Sequence, residues 1–154
     1  MTRSELLQFM QGHSLAVQTS VSPSVAPQAA VVGIVVTDDF EVFFDTLDVT
    51  RKIHNLRRNP KIAFVIGGLT DGDERTVQYE GVADEPRGAD LERLKEFYFL
   101  RFPDGRERQS WRGLVYVRAR PTWIRYSDFN RTTPEIVEFG PDDLRGPDHG
   151  GTVS

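Results

Sequence analysis

Short apolar segments rich in β-branched residues recur along this chain, and a turn signal closes almost every one. QAAVVGIVVT, residues 28–37, runs into the tight turn DDF and then into EVFFDT. KIAFVIGG, TVQYEGVADE, WRGLVYVRA and TWIRYSD follow, the last two separated by Pro121. Upstream, SLAVQTSVS alternates, with Leu15, Val17, Thr19 and Val21 set against Ala16, Gln18 and Ser20, the pattern of a strand with one buried face. The 28–37 run reads as a strand covered on both faces, with Gly33 marking a bulge or a close approach. Six or seven strands, mostly in hairpin order and with few helices, favour an antiparallel barrel over a doubly wound sheet. No GxGxxG or phosphate loop follows any strand.

Helices are few. TRSELLQFMQGH places Leu6, Leu7, Phe9 and Met10 before a stop at Gly12. DLERLKEFYFL puts Leu91, Leu94, Phe97 and Tyr98 on one face. With 154 residues the chain is expected to form one domain over 1–139, and the Gly-, Pro- and Asp-rich stretch 140–154 reads as a flexible tail. Absence of cysteine excludes disulfides, thiolate catalysis and Cys-based zinc sites, and suits a cytoplasmic protein. Net charge −4, from 19 basic against 23 acidic residues, argues against nucleic acid as a partner. No apolar run approaches a membrane span and none resembles a signal peptide, so no membrane association is expected. His13, His54 and His149 are too scattered for a local metal site, and no metal is expected.

One segment breaks the electrostatic rules for helices. In TRKIHNLRRNP, Thr50–Pro60, a short helix ends at Asn59-Pro60. Arg57 and Arg58 in its last turn suit the negative end of the helix dipole. Arg51 and Lys52 do not suit the first turn, where unpaired backbone N–H groups already carry positive character; each costs roughly 0.3–1 kcal/mol there by the dipole rule. A phosphate would reverse the sign, accepting from the N–H groups, the Thr50 hydroxyl and both cations. The alternative is that Asp48 caps the helix and both cations point into water.

FFDTLDVTRKIHNLRRNPKIAFVI resembles the FMN-binding split-barrel family that includes pyridoxamine 5′-phosphate oxidase. The matching positions are Asp45 and Thr46, then Thr50, Arg51 and Lys52, then Asn59 and Pro60, then 61–66, with weaker similarity from about residue 5 to 127. The resemblance implies a mainly β, six- to seven-stranded antiparallel split barrel that binds FMN. It implies that Arg51 and Lys52 hold the FMN phosphate with Thr50 assisting, and that Asp45 and Thr46 lie along the flavin. It implies a homodimer with the cofactor between subunits, and oxidoreductase activity on a small-molecule substrate. The family's Gln in the fifth strand falls at Thr76, with Gln78 on the same face as a substitute. A deazaflavin in place of FMN, or a non-enzymatic flavin- or polyanion-binding module, are the alternatives. Departures point away from the vitamin oxidase itself. The Arg and Lys framing the oxidase's second strand have no counterpart in 30–35, nor has its C-terminal His- and Arg-bearing segment in PTWIRYSDFNRTTPEI. Haem-degrading split barrels are also similar, but no histidine here stands out as an axial ligand.

Phe43 and Phe44 face opposite sides of their strand and each reads best as core, and Trp111 and Trp123 read as core or interface packing. RFPDGRERQSWR reads as a solvated loop able to rim a pocket. No serine has a nucleophile-elbow context.

Overall fold

The computed structural model describes residues 1–146. Eight strands follow in chain order: β1 (Leu15–Val21), β2 (Pro27–Gly33), β3 (Val35–Val36), β4 (Val42–Leu47), β5 (Lys61–Gly67), β6 (Arg75–Asp84), β7 (Leu114–Asp128) and β8 (Glu135–Phe139). All pair antiparallel in one sheet, seven of them in the order β2-β1-β5-β6-β7-β4-β3, with β8 added on β7. The two ends of that path, β2 and β3, are joined through the single residue Ile34. A sheet whose outermost strands are neighbours in the chain has to curl back on itself, and the result is the predicted mainly β split barrel.

Inward-facing residues fill the barrel: Val32, Phe44, Phe64, Val77, Tyr79 and Ile124 are all buried. The Phe64 ring meets Phe44 and Tyr79 edge-on, at centroid distances of 6.0 and 5.5 Å. Tyr79 also donates from its hydroxyl to the carbonyls of Phe40, at 2.9 Å, and Ala119, at 3.1 Å. These bonds tie β6 to the turn before β4, where Phe40 sits at φ 60°. Helix α1 (Arg3–Gln11) docks Leu6 and Met10 on the barrel; its Thr2 and Glu5 form a reciprocal capping box.

A second apolar cluster lies outside the barrel, where α3 (Gly88–Arg101) covers β3 and β4 with Val35, Phe43, Leu94, Tyr98 and Phe99. Phe43 stacks on Tyr116 at 5.5 Å with 5° between the planes. Both Phe43 and Phe44 are therefore core, in different clusters. The buried face of α3 carries Tyr98 and Phe99 rather than Phe97, which is 38% exposed.

Trp111 is likewise exposed rather than core, and the strands and the C-terminal stretch depart from the expectation as well. In β1 the buried face is Ala16, Gln18 and Ser20, while Leu15 and the two partners of Val17, Val31 on β2 and Val65 on β5, are exposed, because no described element covers the outside of β1, β2 and β5. The 28–37 run breaks at Ile34, and only its second half is covered on both faces; Gly33 is the close approach, since a Cβ there would lie 3.1 Å from the Phe102 ring. The two late strands are one 15-residue strand, with Pro121 opposite Gly81 where the β6–β7 register shifts. Pro121 is accommodated because the bulge relieves it of a ladder hydrogen bond. In the 140–154 stretch, α5 (Pro141–Leu144) turns Leu144 into the core, and residues 147–154 lie outside the described residues.

Candidate functional site

Helix α2 (Arg51–Arg58) starts where the sequence places it, with Thr50 as N-cap at φ −77°, ψ 151°. The Thr50 hydroxyl does not cap the helix. It donates to the Leu47 carbonyl at 2.8 Å and lies 3.1 Å from Thr46 Oγ1. The first turn has no acidic residue and its N-cap makes no side-chain bond, so no capping side chain satisfies its N–H groups.

Both cations of that turn bend toward one cleft. Lys52 reaches inward and its Nζ donates to Thr46 Oγ1 at 3.2 Å. Burial lowers its pKa from the ordinary lysine value, the sign of a cation held partly out of water. Arg51 lays its guanidinium against the side-chain amide of Gln28, with 2.7 Å between the nearest atoms. The cleft, about 600 Å³, runs between α2 and strands β1 and β2; Gln18, Ser20, Gln28, Thr50, Arg51 and Lys52 line it, and no carboxylate does. Among the described residues neither cation makes an ion pair. Gln18 adds a second anomaly. Its side chain is 1% exposed, and its carbonyl oxygen has no hydrogen-bond partner. A buried orphan acceptor costs roughly 1–3 kcal/mol, which a donor arriving on a ligand removes.

Of the residues singled out in the sequence, Thr46, Thr50, Arg51 and Lys52 come together here. Asp45 lies on the other face of β4, as strand alternation requires. Its carboxylate accepts from Arg108 Nε at 3.0 Å and from the Tyr98 hydroxyl at 3.2 Å. Burial, helped by the Asp45 charge, pushes the Tyr98 hydroxyl pKa well up. The segment read as a solvated loop thus contains a short helix, α4 (Gly105–Arg108), whose Arg108 is 18% exposed and anchored. Gln78 is on the outer face of β6, paired with Val65 and Arg125, away from its own chain's cleft. Sequence reasoning missed Gln18, Ser20, Gln28 and Asn55. For Gln18 and Ser20 the available signal was the polar half of the β1 alternation, which is the buried half; Gln28 on β2 and Asn55 on α2 carried none.

The family model for pyridoxamine 5′-phosphate oxidase matches residues 2–128. The chain belongs to the pyridoxamine 5′-phosphate oxidase family. Solved structures of the same fold span several described roles. A putative pyridoxamine 5′-phosphate oxidase from Listeria innocua aligns at 20% identity and TM-score 0.63, over 84% of this chain and 98% of that one. General stress protein 26 from Bacillus anthracis aligns at 21% identity and TM-score 0.67, over 89% and 98%. A heme-binding protein from Mycobacterium smegmatis aligns at 13% identity and TM-score 0.79, over 94% of this chain but 60% of that one. At these identities the likeness is one of fold. A search of curated proteins gives no significant match. No helix among the described residues is long and apolar enough to cross a membrane.

Proposed function

We propose that the cleft holds the phosphate of FMN and that the protein is an FMN-dependent oxidoreductase acting on a small molecule. One observation carries this reading: two cations converge on an uncapped helix N-terminus in a cleft that no carboxylate lines. Arg51 and Lys52 would hold the phosphate dianion, and the first-turn N–H groups would supply further donors. Thr46 orients Lys52 through the 3.2 Å bond, and Thr50 braces Thr46. Gln18, whose buried carbonyl has no partner, would turn its amide toward the cleft and accept from a hydroxyl of the ligand. The bound flavin would supply the electron and hydride chemistry, leaving the chain to bind, orient and exclude water.

The same reading calls for a homodimer. Leu15 is 58%, Val31 63% and Val65 37% exposed on the uncovered outer face of β1, β2 and β5. A second copy is the partner that would bury this patch. Gln78 lies in the same row and would then face the partner's cleft rather than its own. Asp45, engaged by Arg108 and Tyr98, is not assigned to the flavin. A cytoplasmic location goes with this reading. A deazaflavin with a phosphate end would meet the same donors.

The test is to denature the purified protein and identify the small molecule released, by absorption and mass spectrometry. FMN is the expected product. Release of haem, or of no flavin or deazaflavin even after incubation with either, overturns the proposal.

A further inference from the structure

Four side chains stand in a row beside the cleft: Arg51, Gln28, Asn55 and Arg58, two cations flanking two amides. Each amide has one oxygen and one NH2, so it accepts at one end and donates at the other. As the row stands, Arg58 Nη2 donates to Asn55 Oδ1 at 3.1 Å. Asn55 Nδ2 donates to Gln28 Oε1 at 2.6 Å and to Ser20 Oγ at 3.1 Å. The remaining end of Gln28, its Nε2, then faces the guanidinium of Arg51, whose nitrogens lie 2.7, 3.2 and 3.2 Å away, donor against donor.

Turning Gln28 over gives Arg51 an oxygen but sets Nε2 2.6 Å from Asn55 Nδ2. Turning Asn55 as well moves the conflict to Arg58. Among themselves the four side chains are at least one acceptor short in every arrangement, and the turn of the amides decides whether the shortfall falls on Arg51 or on the exposed Arg58. Asn55 is 3% exposed, so water reaches only the two ends.

We propose that the missing acceptor is a ligand anion and that Gln28 is part of its site. With the anion bound, the row keeps the order just described, and Gln28 Nε2 donates to an anion oxygen beside Arg51. Without it, Gln28 and Asn55 turn over together. The Gln28 carbonyl then holds Arg51 ready, and Arg58, exposed at the far end of α2, turns to water. A neutral amide at position 28 is essential, because it aims Arg51 without cancelling its charge. This inference rests on the phosphate reading of the cleft.

The test measures FMN and riboflavin affinity, by quenching of flavin fluorescence, in the wild type, Gln28→Glu and Gln28→Leu. Thermal midpoints are taken without ligand. A glutamate would pair with Arg51 inside the protein. Gln28→Glu is therefore expected to weaken FMN about tenfold or more, leave riboflavin unchanged and keep or raise the ligand-free midpoint. Gln28→Leu, which loses one donor, is expected to weaken FMN less than Gln28→Glu does. A merely structural role predicts the opposite ranking, with equal loss for both flavins and a lowered midpoint, and that result overturns the proposal. So does Gln28→Glu binding FMN within twofold of the wild type. If the wild type itself binds FMN no better than riboflavin, the phosphate reading fails and this inference fails with it.

Discussion

Replacing Gln18 by leucine should make the ligand-free protein more stable and its ligand weaker. Gln18 is 1% exposed and its carbonyl oxygen accepts no hydrogen bond. An unsatisfied buried acceptor costs about 1–3 kcal/mol, and leucine of similar size removes that cost while adding apolar contact. Allowing for imperfect fit beside Ser20 and Ala30, a gain of about 1–2 kcal/mol is expected. For a chain of this length that is a rise of about 2–8 °C in the thermal midpoint. Scanning calorimetry on protein stripped of small molecules measures it, and denaturant unfolding checks that the m-value is unchanged. In parallel, FMN affinity should fall, since the ligand loses its acceptor. A midpoint that drops by several degrees would mean the amide has partners in the ligand-free protein, and the case for Gln18 as a ligand contact would collapse.

Other consequences are as direct. Val65→Lys places a charge in the uncovered apolar row, so the wild type is expected to sediment as a dimer and the variant as a monomer; a monomeric wild type or an unchanged dimer would refute this interface. Phe64→Ala removes a ring held by Phe44 and Tyr79 and should destabilise by about 3–5 kcal/mol in urea unfolding; a loss under 1 kcal/mol would deny it a central place in the core. Burial depresses the Lys52 pKa. The protonated form binds the anion, so FMN affinity should decline on the alkaline side as pH rises through that depressed value, and Lys52→Met should flatten this step. For folding the sign is opposite. The unfolded state binds the proton more tightly, so this group's penalty is full below its folded pKa and fades as pH rises toward the ordinary lysine value.

How much of this was legible in the sequence follows from what each signal encodes. Turn residues and alternation located the early strands, and Thr50, Arg51 and Asn59-Pro60 set the bounds of α2, because caps and prolines act locally. The cationic first turn pointed to an anion for the same reason. Alternation does not say which face is covered. In β1 the apolar face lies outside and the polar one inside, a reversal set by which face of the strand the curled sheet turns inward. Gln18 and Ser20 were hidden for that reason, both polar, buried and distant in sequence from Arg51; Asn55, on the same helix as Arg51, is buried against Ser20 and Gln28, contacts that only the fold creates. The resemblance places Asp45 along the flavin beside Thr46, but adjacent strand residues point apart, and the engagement of Asp45 with Arg108, 63 residues away, is visible only in the fold. Pro121 read as a strand break because the bulge that accommodates it is a tertiary feature.

The central claim is that Arg51 and Lys52 crowd a helix N-terminus because a phosphate belongs there. The ratio of riboflavin to FMN dissociation constants, in the wild type and in the Arg51→Ala, Lys52→Ala double variant, isolates the phosphate's share. Two charge-assisted contacts at about 1.5–3 kcal/mol each should make FMN at least a hundredfold tighter in the wild type and bring the ratio near one in the double variant. A double variant that still prefers FMN as strongly as the wild type would contradict the claim.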